Sequence, residues 1–565
     1  ADRVVDQKQL ERSGEIHPVY KAMNLLKYDV GNLGNHEFNY GLPFLEKAIS
    51  GSAFPYICAN VYDLKTNKNY FTPYVLLKKE MISQSGQKQS LTIGVIGFVP
   101  PQITLWDEGH LKGKVYTEDI IETAEKFIPE MKQKGADLII AVPHSSLDFA
   151  VRKQKDENVT LYLAKVPGVD AILFGHGHEF FPGKTFAKRQ DVDAVNGKIF
   201  GVPAVMPGFW GNHLGVIDLF LNYSKESGWK IVKSSSQIIP VSNKKENKVL
   251  SVSNHPEVEK AVLEDHKKTI QFVQKRLNSL SVDLHSYFSL IQDDRLTHLG
   301  GAAQLWYTKK IIQGTEYENL PILSAFPIFK AGLRGNDPTF FSHIPKGEIT
   351  RAHVGDIYPY PNSLGLVLIK GSELKEWLEM SAGIFNTAVP SNTPKEQIPL
   401  LFKEGARSYN FDTFDGGISY EIDLSVPAKY TLKGEPSKES TTGRISKLFF
   451  KGKKVEPEDK FLVAVNNYRM DTGIFPGLKT AKVISKGPHL VINILEEYFS
   501  RPDFVFAKGQ NKLTPDWSLK NSGQKRKIIF KTSPKAVSFL KELKMKYEIL
   551  ENPDKEGFLV LLLNL

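Results

Sequence analysis

Short apolar runs alternate with amphipathic stretches through the first half of the chain. Residues 92–98 (TIGVIGF), 138–142 and 169–174 are apolar runs of strand length, the pattern of strands buried on both faces of a parallel sheet. Helical spacing fills the gaps between strands. Pro18 stands at a first helical position ahead of Val19, Met23 and Leu26, and Thr117 is placed to cap a helix running through Met131. Residues 29–33 read as extended. Such alternation predicts an α/β layer fold. A polar stretch, 241–255, leads into Pro256, and 256–277 has helix-forming composition with Val258, Val262, Val273 and Leu277 on one side. The remainder mixes a helix at 372–381 with strands at 364–369 and 461–466. The spacing therefore predicts a first domain over 1–250, a linker helix over 251–278 and a second domain over 279–565.

Composition narrows the class. In 565 residues, 41% hydrophobic and 24% charged, there is apolar surface for about two to four domain cores, which excludes a small stapled module and disorder throughout. The net charge of +10 is spread along the chain. Its one concentration, Lys520, Lys525, Arg526, Lys527, Lys531, Lys535, Lys541, Lys544 and Lys546, reads as a solvated face, so nucleic acid is not the expected partner. The single Cys58 allows no internal disulfide and no thiolate cluster, which fits a reducing compartment or an exported bacterial protein that folds without bridges. The longest apolar run, 558–563, falls far short of the about 20 residues that span a bilayer. Residues 1–15 are charged, with no initiator Met and no apolar targeting core, so the chain is expected to start after a removed segment or part-way into a domain.

Three segments carry chemistry: Gly34-Asn35-His36-Glu37, Pro143-His144-Ser145-Ser146 and Gly175-His176-Gly177-His178. Each follows a predicted strand, and α/β folds place their sites at strand tips. In the last segment, i, i+2 spacing on extended chain would point both imidazoles to one side. Imidazole nitrogen with an amide oxygen suits Zn, Mn, Fe or Co, and the three loops could supply four ligands: Asn35, His144, His176 and His178. Two such ions, about 3.5 to 4 Å apart, would clamp an in-line displacement at phosphorus. His17, His213, His255 and His266 read as capped loop residues and not as ligands.

GNHEFNYG (34–41), the His144-Ser145 step and FGHGHEFFPG (174–183) together resemble the calcineurin-type metallophosphoesterases of the 5′-nucleotidase group. The likeness is greatest to the bacterial branch that acts on 2′,3′-cyclic nucleotides and 3′-nucleotides. It extends through VPPQI (99–103), QDD (292–294), LRGNDP (333–338), YPYPNSL (358–364), SYNFD (408–412) and VNNYR (465–469). The resemblance implies an N-terminal αββα sandwich, a linker helix and a C-terminal 5′-nucleotidase-type α/β domain. It implies two divalent ions, one on Asn35, His144 and His176 and the other on His178. His36 then stabilises the transition state or protonates the leaving oxygen. Its usual Asp partner three residues on is replaced by Asn39, as in the cyclic-phosphodiesterase branch. Tyr409 and Tyr468 would sandwich the base, with Lys330, Arg334 and Asn410 on the polar wall. A periplasmic or secreted monomer acting on a small nucleotide, with domain rotation during turnover, completes what the resemblance implies.

One departure stands out. The family's Asp-x-His and bridging Gly-Asp motifs align upstream of Ala1, and the letter matches Asp283-Leu284-His285 and Gly355-Asp356 fall in the wrong half and order. The chain is thus expected to lack the first segment of its sandwich and to be a poor enzyme by itself. The alternatives are a 5′-nucleotidase or UDP-sugar hydrolase, and a noncatalytic nucleotide-binding fragment.

Overall fold

The apolar runs find partners that bury both their faces. In the computed structural model, Lys88–Phe98 lies parallel to Leu138–Pro143, which lies parallel to Ala171–Leu173, which lies parallel to Val202–Pro207. Tyr74–Ile82 closes one edge antiparallel to Lys88–Phe98, and Val192–Asp193, Lys198–Ile199 and Phe180–Phe181 extend the other. Ile96, Phe98, Ile139, Ala141, Ile172 and Ala204 on the inner strands are inaccessible to solvent. The described residues are 14–187, 189–245, 248–334, 337–438, 440, 442–504, 516–520 and 525–565; the charged opening 1–13 and positions 335 and 336 of LRGNDP lie outside them.

Helix Ile120–Gln133 packs Ile121, Ala124, Phe127, Ile128 and Met131 into this sheet's core. Its cap is Asp119, and Thr117 instead ends the strand Val115–Thr117. The reason is the better acceptor: Asp119 Oδ1 takes Ile121 N at 2.8 Å and Glu122 N at 3.1 Å. The same carboxylate takes Lys155 N and Arg152 Nη2, each at 2.6 Å. The extended stretch expected over 29–33 narrows to Gly31–Asn32, parallel to Tyr56–Ile57. A long hairpin, His213–Ser224 with Gly228–Pro240, follows the sheet.

The chain divides into two units between Ile270 and Gln271. That point lies in helix Pro256–Val273, which carries no buried side chain. The helix stops short of Leu277 because Arg276–Leu280 is drawn into an antiparallel pair with Gly347–Thr350. The second unit is built on a five-stranded sheet in the order Asp412–Asp415, Ile322–Pro327, Lys460–Asn466, Ser363–Lys370, Lys482–Leu490. Helices Arg295–Ile312, Gly371–Ser381 and Val491–Phe499 bury apolar faces in its cores. Part of the basic stretch is ion-paired, Lys520 with Asp423 at 2.8 Å and Lys531 with Glu556 at 2.7 Å. Among the described residues, no helix is long and apolar enough to cross a membrane.

Burial alone would push the Asp119 carboxyl up, but the hydrogen bonds from Lys155 N, Glu122 N and Arg152 outweigh it and hold it below the usual range. Asp119→Ala should cost about 1 to 2 kcal/mol in thermal unfolding at pH 7. Because the folded-state value is lowered, the stabilisation is complete above about pH 4, the unfolded-state value, and is lost as pH falls below it through the folded-state value. The stability gap between wild type and Asp119→Asn should therefore shrink below about pH 4; a gap that persists to pH 2 contradicts the assignment.

Candidate active site

Parallel strands end together. Leu138–Pro143 runs directly into His144, and its neighbour Ala171–Leu173 is followed three residues later by His176. Asn35 arrives from another direction, where the chain leaves Gly31–Asn32 and turns at Gly34 into the single 3₁₀ turn Asn35–Phe38. Asn35 Oδ1 and His144 Nε2 lie 2.9 Å apart across 109 residues of sequence. The His144 and His176 ring centres are separated by 5.0 Å. Glycine at 34 permits this close approach, since a Cβ there would sit 2.9 Å from Glu37 Oε2 and 3.0 Å from the His144 ring.

The Gly175–His178 segment is not extended. His176 and His178 take φ of 72° and 56°, and Gly177 N donates to Gly175 O at 2.9 Å. The strand stops at Leu173, so the two imidazoles are presented by a left-handed turn instead of by a strand's alternation. The turn presses on the His144 loop so closely that a Cβ at Gly177 would lie 2.1 Å from Ser146 Oγ. His176 Nε2 hydrogen-bonds Glu157 Oε1 at 2.5 Å, and Trp106 stacks on the same ring at 5.9 Å. Nδ1 is then the nitrogen this ring can offer an ion, a carboxylate on the far nitrogen being the usual support for a ligating histidine. His178 is exposed, its ring 5.8 Å from that of Phe209.

Electrostatics suit these groups to a cation. Burial, and then the neighbouring His176, His36 and His178, push the His144 imidazole down to about 3, so it keeps a lone pair across the working pH range. Imidazole nitrogens with an amide oxygen are a mixed N/O set of the kind that holds Zn, Mn, Fe or Co. Cys58 is no competitor, because burial pushes its thiol up to about 12. Beside the set stands His36, exposed, with Nδ1 2.8 Å from Asn39 Oδ1. Asn39 Nδ2 in turn donates to both carboxylate oxygens of Asp107, at 3.1 and 3.3 Å. Glu157, Trp106 and Asp107 escape a sequence reading because nothing in their spacing announces partners chosen by the fold.

In the second unit Tyr409 sits in the 3₁₀ turn Ser408–Asn410 and Tyr468 in helix Asn467–Asp471. Their ring centres are 6.5 Å apart at 84°, edge to face. Two rings in mutual contact favour that arrangement, and a base held between parallel faces would require one ring to turn. Both elements are tied by Arg469, 2% exposed, which pairs with Asp412 at 2.9 and 3.0 Å and donates to the Tyr409 carbonyl. Arg334 Nη1 reaches Tyr360 Oη at 3.4 Å and its guanidinium lies 5.3 Å from the Phe340 ring centre. Lys330 is engaged by Asp356, the residue of the stray Gly355-Asp356 match. Asn410 closes the turn that carries Tyr409, its backbone N–H on Arg407 O at 3.0 Å.

Another cluster, unforeseen from sequence, joins His298, Asp415 and Asp516. His298 donates to Asp293 at 2.8 Å and to Asp415. Burial opposes its charge, but the two carboxylates raise the imidazole to about 11. With a carboxylate on each nitrogen, the ring bridges Asp293 and Asp415 in the structure.

Known proteins share both units. The calcineurin-like phosphoesterase model matches residues 10–180, and the 5′-nucleotidase C-terminal domain model matches 330–480. The chain is 42% identical to the 2′,3′-cyclic-nucleotide 2′-phosphodiesterase/3′-nucleotidase of Yersinia enterocolitica, over 98% of this chain and 85% of that protein. It is 43% identical to the protein of the same description from Salmonella typhimurium, over 94% of this chain and 82% of the relative. A solved putative 5′-nucleotidase from Staphylococcus aureus superposes with a TM-score of 0.64 at 20% identity, covering 91% of this chain and 87% of the other, a likeness of fold.

Arg469→Ala would leave the 1% exposed Asp412 carboxylate without its cation. Urea unfolding should show a loss of about 3 to 5 kcal/mol; a loss below about 0.5 kcal/mol would mean that the pair does not hold the two tyrosine elements.

Proposed function

Since the chain belongs to the 2′,3′-cyclic-nucleotide 2′-phosphodiesterase/3′-nucleotidase family of calcineurin-like phosphoesterases, we propose that its chemistry takes place where Asn35, His36, His144, His176 and His178 converge. The protein is a metal-dependent hydrolase that opens 2′,3′-cyclic nucleotides to 3′-nucleotides and cleaves these to nucleoside and phosphate. The contact between Asn35 Oδ1 and His144 Nε2, with the His176 ring alongside, is the observation that carries the residue assignment.

In this reading Asn35, His144 and His176 hold one divalent ion and His178 contributes to a second, the metals being Mn, Zn, Co or Fe. Bound there, such ions acidify water and neutralise charge on the phosphoryl oxygens. Glu157 fixes the His176 ring, and burial keeps His144 neutral and ready to ligate. A water oxygen forms the new bond to phosphorus as the bond to the ribose oxygen breaks; the breaking bond's electron pair goes to the ribose oxygen, which takes the Nε2 proton of His36. The same group serves the 2′ oxygen of the cyclic diester and then the 3′ oxygen of the monoester. The second unit recognises the nucleoside, Tyr409 and Tyr468 stacking on its base, and accepts any base because every base offers a π face. Arg334, Asn410 and Lys330 line the polar side of that pocket, Lys330 with its charge shared with Asp356. The proposed location is the periplasm or the exterior, with the protein acting as a monomer.

Three variants, each made in the full-length protein, test this division of labour. His176→Ala should remove bound metal, measured by elemental analysis, and abolish turnover of 2′,3′-cyclic AMP. Tyr409→Ala and Tyr468→Ala should weaken capture of nucleotides by about 1 to 3 kcal/mol while sparing bis(4-nitrophenyl) phosphate, which has no base. Unchanged metal in the first, or equal losses on both substrates in the others, contradicts the assignment. Faster hydrolysis of 5′-AMP than of 3′-AMP would favour a 5′-nucleotidase.

A further inference from the structure

We propose that Asp107 is a positioning residue for the leaving-group chemistry, acting on His36 through the side chain of Asn39; the proposal rests on the role given to His36 above. Asp107 stands at the N-cap of the short helix Glu108–Leu111, where an aspartate normally turns its carboxylate onto the helix's own N–H groups. It makes no such bond. The carboxylate, 9% exposed, instead accepts Asn39 Nδ2 on both oxygens, at 3.1 and 3.3 Å. A carboxylate so enclosed needs a donor, and Asn39 is the donor it has been given.

The consequence for His36 follows from donor and acceptor rules. An ionised carboxylate only accepts, so it must face the NH₂ group of Asn39. The other end of that amide, Oδ1, is then fixed toward His36 Nδ1 at 2.8 Å. An amide oxygen also only accepts, so Nδ1 must carry hydrogen. The Nε2 atom is thereby assigned to the leaving oxygen, and the ring that has given up its Nε2 proton is the Nδ1–H tautomer. Without the carboxylate the amide can flip, offer NH₂ to Nδ1 and force the hydrogen onto Nε2, which leaves no group at Nδ1 to stabilise the charged ring. A neutral asparagine at 39 thus works as an insulated link to a charge one residue further away.

The arrangement predicts a charge swap. Asn39→Asp alone would put two carboxylates in contact, whereas Asn39→Asp with Asp107→Asn restores one carboxylate and one amide in the reverse order. In long-range ¹H–¹⁵N spectra at pH 8, with His36→Ala identifying the signal, His36 should be the Nδ1–H tautomer in wild type and in the double variant, and a tautomer mixture in Asp107→Ala. For 2′,3′-cyclic AMP, Asp107→Ala and Asn39→Asp should each lower kcat by about 10- to 100-fold with KM within about 2-fold, inside the range of general acid catalysis. The double variant should recover most of that loss. Bis(4-nitrophenyl) phosphate, whose leaving group needs no proton, should be turned over within about 3-fold of wild type by Asp107→Ala, which also shows that the site is folded. An unchanged tautomer in Asp107→Ala, or a double variant no better than Asn39→Asp, overturns the proposal for Asp107 alone. Undiminished turnover of 2′,3′-cyclic AMP by His36→Ala overturns the role of His36 and, with it, this proposal.

Discussion

Four strands of the first unit run parallel, and parallel strands leave all their carboxyl ends along one edge. The site depends on this constraint. His144 and His176 follow neighbouring strands of that sheet and meet there without a long loop, and Asn35, arriving from the separate Gly31–Asn32 strand, touches His144 across 109 positions. The loops need only be short and tightly packed. Gly34 and Gly177 supply the tightness, each sitting where a single extra carbon would collide with the loop opposite.

A second layer of groups determines how those side chains face. Glu157 occupies one nitrogen of His176, and Asp107 occupies the amide that touches His36. Trp106 and Asp107 are adjacent, so one short segment packs a ring on a candidate ligand and anchors a hydrogen-bonded link to the candidate acid. In the second unit the Arg469–Asp412 pair has the same function, tying the turn of Tyr409 to the helix of Tyr468. In each case a buried or half-buried charge is satisfied by a group whose orientation matters to the chemistry.

The sequence makes some of this legible and hides the rest. Apolar runs followed by Asn or His are visible because strand length and strand-end chemistry are local properties, and the runs around Ile96, Ala141 and Ile172 form the sheet centre as their composition requires. Boundaries set by competition are harder. Thr117 and Asp119 are both good caps two residues apart, and only the donors converging on Asp119 decide between them. Leu277 fits a helical face, yet a strand partner at Gly347–Thr350 claims it. The turn at His176 and His178 is hidden because positive φ is uncommon for any residue but glycine, and the edge-to-face tyrosines because ring angle is a property of packing. Glu157, Asp107 and the His298 triad lie beyond a sequence reading, since each is defined by a partner from another element.

The central claim is that the strand-end cluster is a metal centre built on His144. Anomalous X-ray diffraction from crystals of the protein grown with Mn or Zn tests it directly. The account predicts a peak within bonding distance, about 2.0 to 2.2 Å, of His144, Asn35 and His176. Saturating metal with no peak there, or with peaks confined to other parts of the chain, would contradict it.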